Sequence, residues 1–401
     1  MTFKTIRDID VRGKTVLLRA DLNVPAAAGK VTDATRIDRL KPTIDYLAEH
    51  GAKILVMSHF GRPKGGPDPE FSLQFLVPVL KSHWGKEILF ASDCIGAPAE
   101  ALAVALKPGQ IGLLENVRFH AGEEKNDAEF VKTLAKTGDL FVNDAFSSAH
   151  RAHASTEGLA HVLPTVAGFL MEAELKALNA ALENPERPLV AIVGGAKIST
   201  KLELLGNLVE KADMLILGGG MANTFLWAQG IDLKASLCER DMADQARDIM
   251  TKAKMHGCDI ILPIDGVWGE RFEDNTAHGV CAVDAVPAGK MILDVGPETS
   301  AMLQQRLAYA KTIVWNGPLG AFEIKPFDQG TNALAHYVAS QTKVGRIVSV
   351  AGGGDTVAAL ENAGVADQFT YVSSAGGAFL EWMEGKTLPG VAALSAYKEA
   401  A

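Results

Sequence analysis

Short apolar runs alternate with helix-like segments along almost the whole chain of 401 residues. Most of these runs are continuously apolar, which is typical of strands in a parallel sheet that is covered on both faces. The ten strands that we predict cover residues 16–19, 53–58, 111–115, 140–144, 189–193, 214–217, 259–262, 312–315, 346–350 and 369–372. Between them lie amphipathic patterns such as Ile37, Leu40, Ile44 and Leu47. This alternation predicts an α/β protein with two doubly wound parallel sheets.

The segment 168–184 divides the chain into two halves. It is rich in helix-forming residues and is followed by Asn184-Pro185 and Arg187-Pro188, which end a helix. A chain of this length is also long for a single hydrophobic core. We therefore predict an N-terminal domain over 1–167, a connector helix over 168–184 and a C-terminal domain over 185–387. The expected fold is two Rossmann-like domains with a cleft between them.

Composition excludes several classes of partner. The net charge is −9 and the pI is about 5.6, which argues against a nucleic-acid-binding domain. The four cysteines, at 94, 238, 258 and 281, form no CxxC pair, so their spacing does not predict a zinc site or a redox dithiol. The N-terminus lacks the apolar stretch of a signal peptide, and the longest apolar runs are too short for a membrane span. We expect a cytoplasmic protein, active as a monomer.

Polar and cationic side chains follow the predicted strands of the N-terminal domain. Ligands of open parallel sheets bind beyond the carboxyl ends of the strands, so these side chains are candidates for one site. They are Arg19, Asp21, Asn23, Arg36, His59, Gly61, Arg62, Arg118, His150, Arg151 and His153. A single arginine in such a place more often pairs with a nearby acid, but several together indicate a receptor for a small polyanion. His150 and His153 have a spacing that metal ligands can use, but anion contacts or packing fit them better.

Glycine clusters follow the predicted strands of the C-terminal domain, at 194–195, 218–220, 317–320, 352–354 and 376–377. Glycine lets a ligand approach backbone N–H groups, and helix N-termini favour anions, so this pattern suits a nucleotide with its phosphates. No GxxxxGK[ST] and no GxGxxG motif occurs, which argues against a P-loop and against a dinucleotide site.

Asp355 directly follows the glycines of residues 352–354. A carboxylate there would repel phosphates unless a cation lies between them, and Mg²⁺ is the usual one. The alternative is a helix N-cap, which is a common role for Asp, and one residue can serve both roles.

The motifs together resemble those of the phosphoglycerate kinases over nearly the whole chain. The resemblance rests on LLRADLNVP at 17–25, SHFGRP at 58–63, LENVRFH at 114–120, VNDAF at 142–146 with HRAHAST at 150–156, WNGP at 315–318 and GGGDT at 352–356. It implies reversible, Mg²⁺-dependent phosphoryl transfer between 1,3-bisphosphoglycerate and ADP, giving 3-phosphoglycerate and ATP. It also implies that residues 388–401 return to the N-terminal domain. Because the two ligands would lie on different lobes, we predict that the lobes close around the connector helix when both bind.

The resemblance also assigns residues, motif by motif. Phosphoglycerate would be held by Asp21, Asn23, Arg36, His59, Gly61, Arg62, Arg118 and Arg151. The nucleotide would be held by Gly195, Lys201, Gly219, Asn316, Pro318, Glu323, Gly353, Gly354, Asp355 and Thr356, with Glu323 at the ribose and Asp355 on the Mg²⁺. The moving phosphoryl group would be stabilised by Arg36, Lys197 and the amide of Gly376.

The sequence departs from the family pattern at two places near these motifs. Ser147-Ser148 stands where the family more often has Gly-Thr, and Ser374-Ala375 stands where Thr-Gly is usual. Ala375 would add a Cβ close to a helix N-terminus that should face the phosphoryl group. Two other functions compete with the kinase: a non-catalytic two-lobed protein that binds an anion or a nucleotide, and a nicotinamide dehydrogenase. The missing GxGxxG counts against the dehydrogenase.

Overall fold

Residues 3–395 of the computed structural model are described below; residues 1–2 and 396–401 lie outside the described part. The chain divides into two units. The first contains residues 3–175 and 387–395 of the described chain, and the second contains residues 176–386. The boundary between them falls inside a helix, Phe169–Leu178.

The first unit is built on a six-stranded parallel sheet. Its strands are β1 (Thr15–Arg19), β4 (Lys53–Met57), β5 (Ile88–Phe90), β6 (Ile111–Leu113), β7 (Leu140–Asn143) and β8 (Thr165–Ala167), and a two-stranded ribbon is formed by β2 (Ala26–Ala27) and β3 (Lys30–Val31). The order across the sheet is β5-β6-β4-β1-β7-β8. The helices are α1 (Thr35–Glu49), α2 (Val77–Trp84), α3 (Gly96–Ala105), α4 (Ala121–Glu124), α5 (Ala128–Ala135) and α6 (Phe169–Leu178).

Both faces of this sheet are covered, which explains why its strands are continuously apolar in the sequence. Val16 and Leu18 of β1 pack into one core with the buried face of α1, whereas Leu17 packs into a second core on the other side. In the neighbouring strand β4, Leu55 pairs with Leu17 and packs into the same core. The side chains of β4 therefore alternate between the two cores in step with those of β1. Successive side chains of a strand point to opposite faces, so every position of a central strand must be apolar here.

The second unit contains another six-stranded parallel sheet and a smaller antiparallel one. The strands are β9 (Leu189–Val193), β10 (Met214–Leu217), β11 (Asp259–Ile261), β12 (Asp265–Gly269), β13 (His278–Ala282), β14 (Met291–Val295), β15 (Thr312–Asn316), β16 (Val348–Ala351) and β17 (Tyr371–Val372). The parallel sheet has the order β11-β10-β9-β15-β16-β17, and the antiparallel sheet has the order β13-β12-β14. The helices are α7 (Leu202–Lys211), α8 (Gly219–Ala228), α9 (Ala243–His256), α10 (Pro297–Leu307), α11 (Gln329–Lys343), α12 (Gly354–Asn362) and α13 (Gly376–Met383).

Short 3₁₀ turns connect many of these elements, and a π-helical turn, Asn179–Glu183, extends α6. The 3₁₀ turns are Ile6–Asp8, Pro69–Phe71, Leu73–Leu76, Val117–Phe119, Phe146–Ser148, Gly158–His161, Arg240–Met242, Val283–Ala285, Ala366–Gln368 and Ala393–Ser395. Within residues 3–395, none of the helices has both the length and the apolar character that crossing a bilayer requires.

The last described residues belong to the first unit. They form helix α14 (Pro389–Ala392), where the backbone N–H of Gly390 donates to the carbonyl of Ala149 at 2.9 Å. Ala393 packs into the core that contains Leu17. The remainder of the predicted returning segment, residues 396–401, lies outside the described residues.

Candidate functional site

The loop after β1 and the start of α1 bring together three predicted residues of the first unit. Arg36, in the first turn of α1, donates through Nη1 to Oδ2 of Asp21 at 2.8 Å and to the carbonyl of Asn23 at 2.9 Å. The hydroxyl of Ser147 donates to the same carboxylate oxygen of Asp21. Ser147 is one of the departures from the family pattern, and it adds a hydrogen bond to this group.

The same chain of hydrogen bonds continues through the loop after β4. The amide of Gly61 donates to Oδ1 of Asn23 at 2.9 Å, and the carbonyl of Gly61 accepts from Nη1 of Arg118 at 2.8 Å. The Arg118 side chain is only 8% exposed, so its direction is fixed, whereas Arg62 beside Gly61 is exposed. Two predicted cations therefore belong to the loop after β4: Arg62 as part of the loop, and Arg118 through its hydrogen bond to Gly61.

Arg19 lies beneath these groups and is almost completely buried. Its Nε donates to the hydroxyl of Ser155 at 2.8 Å, and its Nη2 lies 3.0 Å from Nδ1 of His59. A guanidinium has no acceptor, so Nδ1 of His59 must accept this bond, and the proton of the neutral ring must reside on Nε2. Arg19 thus selects the tautomer of His59 and leaves Nε2–H as a donor.

Two histidines of this region, His59 and His153, have lowered pKa values, which favours their neutral forms. Burial lowers the pKa of His59 well below its usual value, and Arg19, Arg118 and Arg151 lower it further. Burial also lowers the pKa of His153 to about 4, with help from Arg118 and Arg151. Both shifts follow from taking a cation out of water and placing it among other cations.

The buried charge of Arg19 is balanced by a buried carboxylate. Glu123 accepts from the amide of Ser155 at 2.9 Å and from its hydroxyl, so Ser155 joins the two charged groups. Burial raises the pKa of Glu123, whereas Arg19 lowers it. A buried pair of this kind needs such satisfied hydrogen bonds to offset its desolvation. The surface above it presents cations and N–H donors, which is an arrangement that binds an anion.

In the second unit, the loops after β9 and β15 pack backbone against backbone. A Cβ on Gly194 would lie 1.7 Å from the carbonyl oxygen of Pro318, so only glycine fits at that position. Lys201, just before α7, donates to the carbonyl of Gly194 at 2.8 Å and to Oδ1 of Asn316 at 2.6 Å. Burial lowers the pKa of Lys201 to about 8, and Asp355 acts in the opposite direction.

Asn316 connects this loop to the glycine turn that precedes α12. Its Nδ2 donates to the carbonyl of Gly352 at 2.8 Å. The Thr356 hydroxyl accepts from the amide of Gly317 at 2.7 Å and donates to the carbonyl of Gly352 at 2.8 Å. Gly353 has φ +99° and lies at the N-cap of α12. The start of α12 is therefore held by the loop after β15, which Lys201 connects to the loop after β9.

The N-termini of α12 and α13 lie side by side. A Cβ on Gly376, the first residue of α13, would lie 3.9 Å from the amide nitrogen of Gly354. Two helix N-termini at one place form a strong site for phosphate groups. Ala375 is buried and its φ is −108°, so this departure from the family pattern does not place a Cβ on a left-handed backbone.

A cavity of about 300 Å³ opens next to these helix ends in the second unit. Its walls are mostly apolar and include Leu226, Phe272 and Val283. Five predicted nucleotide residues also line it: Gly195, Gly219, Pro318, Glu323 and Asp355. An apolar cavity with a few polar groups at its edge is typical of a site for a small organic ligand, such as a nucleoside.

The structure thus brings most of the predicted residues together within each unit. Lys197 is exposed on the loop between β9 and α7, as are Arg62 on the loop after β4 and Asp355 in the first turn of α12. The sequence placed Arg19 among the anion-receptor candidates, whereas the structure buries its side chain. Glu123 and Ser155 received no role from the sequence. Glu123 comes shortly after the LENVRFH motif and Ser155 lies in the HRAHAST motif. Only the fold shows that both are buried and hydrogen-bonded to each other.

The fold and the two sites define a class of protein: an α/β phosphotransferase with an anion receptor on one unit and a nucleotide-type cavity on the other. A family model described as phosphoglycerate kinase matches residues 6–386. The chain belongs to the phosphoglycerate kinase family. The family that the motifs predicted is confirmed, and with it a phosphotransferase whose acceptor is a carboxyl group.

Individual relatives agree with this assignment. The chain is 62% identical to a phosphoglycerate kinase of Rhodospirillum centenum over 396 residues, which cover 99% of this chain and 100% of the relative. It is 59% identical to one of Cereibacter sphaeroides, covering 98% and 100%. A solved phosphoglycerate kinase structure from Coxiella burnetii matches with a TM-score of 0.92 and 44% identity, over 98% of this chain and 99% of that one. The predicted fold class of two parallel-sheet domains is confirmed.

Proposed function

We propose that this chain catalyses the reversible transfer of a phosphoryl group from 1,3-bisphosphoglycerate to ADP, giving 3-phosphoglycerate and ATP in glycolysis or gluconeogenesis. The observation that carries the proposal is the hydrogen-bonded series from Arg36 through Asn23 and Gly61 to Arg118. It fixes two guanidinium groups relative to each other, as recognition of a small polyanion requires.

The first unit would bind phosphoglycerate through these groups. Arg62, with its exposed side chain, and Arg118 and Arg151 supply charge, and Nε2–H of His59 supplies a neutral donor. Asp21 and Asn23 would hold Arg36 and accept from the hydroxyl of the substrate. Each charge-assisted hydrogen bond is worth roughly 1.5–3 kcal/mol, so a few of them suffice for specific binding.

The second unit would bind the nucleotide. The base and ribose would enter the apolar cavity, with Glu323 at the ribose and with Gly195, Gly219 and Pro318 against the nucleoside. The phosphates would meet the N-termini of α12 and α13 near Gly353, Gly354 and Gly376. Lys201, Asn316 and Thr356 support that turn by the contacts described above.

Asp355 is the residue that would hold Mg²⁺ with the nucleotide. Its carboxylate is exposed in the first turn of α12 and lines the same cavity. Its negative charge also acts to raise the pKa of Lys201. Carboxylate oxygen is the ligand type that Mg²⁺ prefers, and Mg²⁺ commonly shares its coordination with phosphate oxygens. A bound Mg²⁺ would neutralise phosphate charge and orient the nucleotide.

No general base is needed, because the acceptor is a carboxylate that is already ionised at neutral pH. Placement of the two reactants alone can supply roughly 7–11 kcal/mol of the rate enhancement. Lys197, Arg36 and the amide of Gly376 would neutralise charge that develops on the moving phosphoryl group.

The two ligands are assigned to domains 1–167 and 185–387, so the proposal includes closure of these domains about residues 168–184. A radius of gyration that stays constant in X-ray scattering when both ligands are added would contradict closure.

A coupled assay for ATP formation from 1,3-bisphosphoglycerate and ADP tests the function directly. Arg36→Ala should lower kcat by about 10²–10³-fold, the range seen for loss of one transition-state donor, while leaving ADP affinity unchanged. The matched control is Arg39→Ala, on the same helix, which should change kcat by no more than about twofold. Equal losses of kcat and ADP affinity in Arg36→Ala would refute its assigned place, and absence of ATP formation by the unmodified chain would refute the function.

The proposal also includes a monomer that acts in the cytoplasm. The four cysteines are free, which fits a reducing compartment. Light scattering after size-exclusion chromatography should give a mass close to 42.5 kDa, and a mass near twice that value would contradict the monomer.

A further inference from the structure

Three potential metal ligands meet in the first unit, and none of them is a residue assigned to the reaction. Asp93, Cys94 and His120 each offer one ligand atom, and these atoms all lie within 4.8 Å of one another. We propose that this cluster is a binding site for a single Zn²⁺ ion, with a water molecule as the fourth ligand. The spacing of the cysteines gave no sign of it, because the site uses one cysteine and a distant histidine.

The backbone around the cluster is already organised for ligation. Asp93 and Cys94 form the short connection between β5 and α3, and Oδ1 of Asp93 accepts from the amides of Cys94 at 2.7 Å and Ile95 at 3.3 Å. His120 follows β6, the strand next to β5, and its ring lies against Phe130 with centroids 5.3 Å apart. All three ligands therefore lie beyond the carboxyl ends of two adjacent strands.

The distances require only small shifts to admit the ion. Ligand atoms of a tetrahedral zinc site lie about 3.3–3.5 Å apart, given zinc bonds of about 2.0–2.3 Å. Nε2 of His120 lies 2.7 Å from Oδ1 of Asp93, so the two atoms would move apart by about 0.6 Å and the ion would replace their hydrogen bond. The proton of the neutral His120 ring would then reside on Nδ1, which leaves Nε2 free to bind the ion. Sγ of Cys94 lies within 4.8 Å of each of the other two ligand atoms, so each of these distances would shorten by at most about 1.3 Å.

Exposure and ligand chemistry both favour zinc. Cys94 is 1% exposed and cannot reach a substrate, but Asp93 and His120 are 39% and 29% exposed, so an ion can enter from their side. A thiolate, an imidazole and a carboxylate suit Zn²⁺, whereas Mg²⁺ prefers oxygen ligands. Binding would replace the proton of the Cys94 thiol, which is released to water, and would leave the sulfur as a thiolate ligand.

Cobalt(II) is the probe that tests this site, because a thiolate bound to it gives an intense charge-transfer absorption. Titration of the full chain under reducing conditions should show this band with one Co²⁺ bound per chain, and added Zn²⁺ should remove it. Cys94→Ser should abolish the band. Asp93→Asn and His120→Gln, at partly exposed positions, should weaken Co²⁺ binding by at least about tenfold without changing the melting temperature measured in chelator.

The control is Cys258→Ser, which removes a buried thiol from the second unit and should leave the band unchanged. The proposal is overturned if the unmodified chain gives no thiolate band. It is equally overturned if the band survives in Cys94→Ser, or if Asp93→Asn and His120→Gln bind Co²⁺ as tightly as the unmodified chain. In any of these cases the cluster is a packed hydrogen-bonded group only.

Discussion

Asp144 gives the most quantitative prediction for the first unit. It directly follows β7, is 2% exposed, and accepts from the amide of Met171 in α6 at 3.0 Å. Burial raises the pKa of this carboxyl from 3.8 to about 6, against the lowering effects of the Thr43 hydroxyl and the α6 amides. Asp144→Asn keeps the size of the side chain and removes its titration, so the variant isolates the contribution of the proton.

The sign of the effect follows from proton linkage. The folded protein holds this proton more tightly than the unfolded chain, so the contribution of Asp144 to stability is fully present below about pH 3.8 and is lost as pH rises through about 6. The difference between the two pKa values corresponds to about 3 kcal/mol, of which about 2 kcal/mol falls between pH 4.5 and 7.5. The free energy of unfolding of the unmodified protein should therefore fall by about 2 kcal/mol relative to Asp144→Asn over this range.

The measurement must report on the first unit alone. Trp84 is the only tryptophan of that unit, so the ¹⁹F NMR signal of fluorotryptophan at this position can follow urea unfolding. The matched control is Asp139→Asn, an exposed carboxylate that also accepts a backbone amide, from Thr15 at 2.8 Å. If the difference between the unmodified protein and Asp144→Asn stays constant with pH, or grows in favour of the unmodified protein as pH rises, the reasoning is refuted.

Two predictions concern the nucleotide site of the second unit. The pKa of Lys201 is about 8, so its ammonium loses charge above that pH, and ADP affinity measured by calorimetry should fall about tenfold from pH 7 to 9.5. Lys201→Met should bind weakly and show no such fall; an equal fall in the variant would remove Lys201 as the cause. Gly353→Ala should cost roughly 1–3 kcal/mol of stability and weaken ADP binding, because the residue has φ +99° and the new Cβ would lie 2.5 Å from Nδ2 of Asn316. Gly364→Ala is its control, since φ is +70° but nothing lies within 4 Å, so ADP affinity should stay within about twofold; similar losses of affinity in both variants would contradict the prediction.

The sequence predicted the central strands well because burial on two faces leaves a continuous apolar signal. All ten predicted strands are present, with ends that differ by at most two residues. The edge strands β5 and β8, of three residues each, were not predicted. The antiparallel sheet was also not predicted, since β13 alternates between exposed and half-buried positions and contributes little apolar signal.

The motifs predicted which residue types surround each site, but not their states. The LLRADLNVP motif contains Arg19, yet nothing in the sequence shows that this arginine is buried beside His59. The lowered pKa of Lys201 likewise depends on burial by loops that are distant in the chain. Asp294 is a third example: it is buried at the nucleotide cavity and accepts the amides of Gly330 and Val295, and burial raises its pKa well above the usual value.

The network of Arg19, His59 and Ser155 explains how a chain with net charge −9 can keep a local positive charge that varies little with pH. Arginines stay protonated at all ordinary pH values, whereas histidines normally change charge near neutrality. Here the pKa values of His59 and His153 are both lowered by burial and by nearby arginines, so both imidazoles favour the neutral form near neutrality. Arg19 favours the neutral form of His59 in two ways. Its positive charge opposes protonation of the ring, and its Nη2–H donates a hydrogen bond to Nδ1, the nitrogen that would accept the proton. The guanidinium groups therefore supply positive charge that does not depend on pH, and His59 presents Nε2–H as a donor.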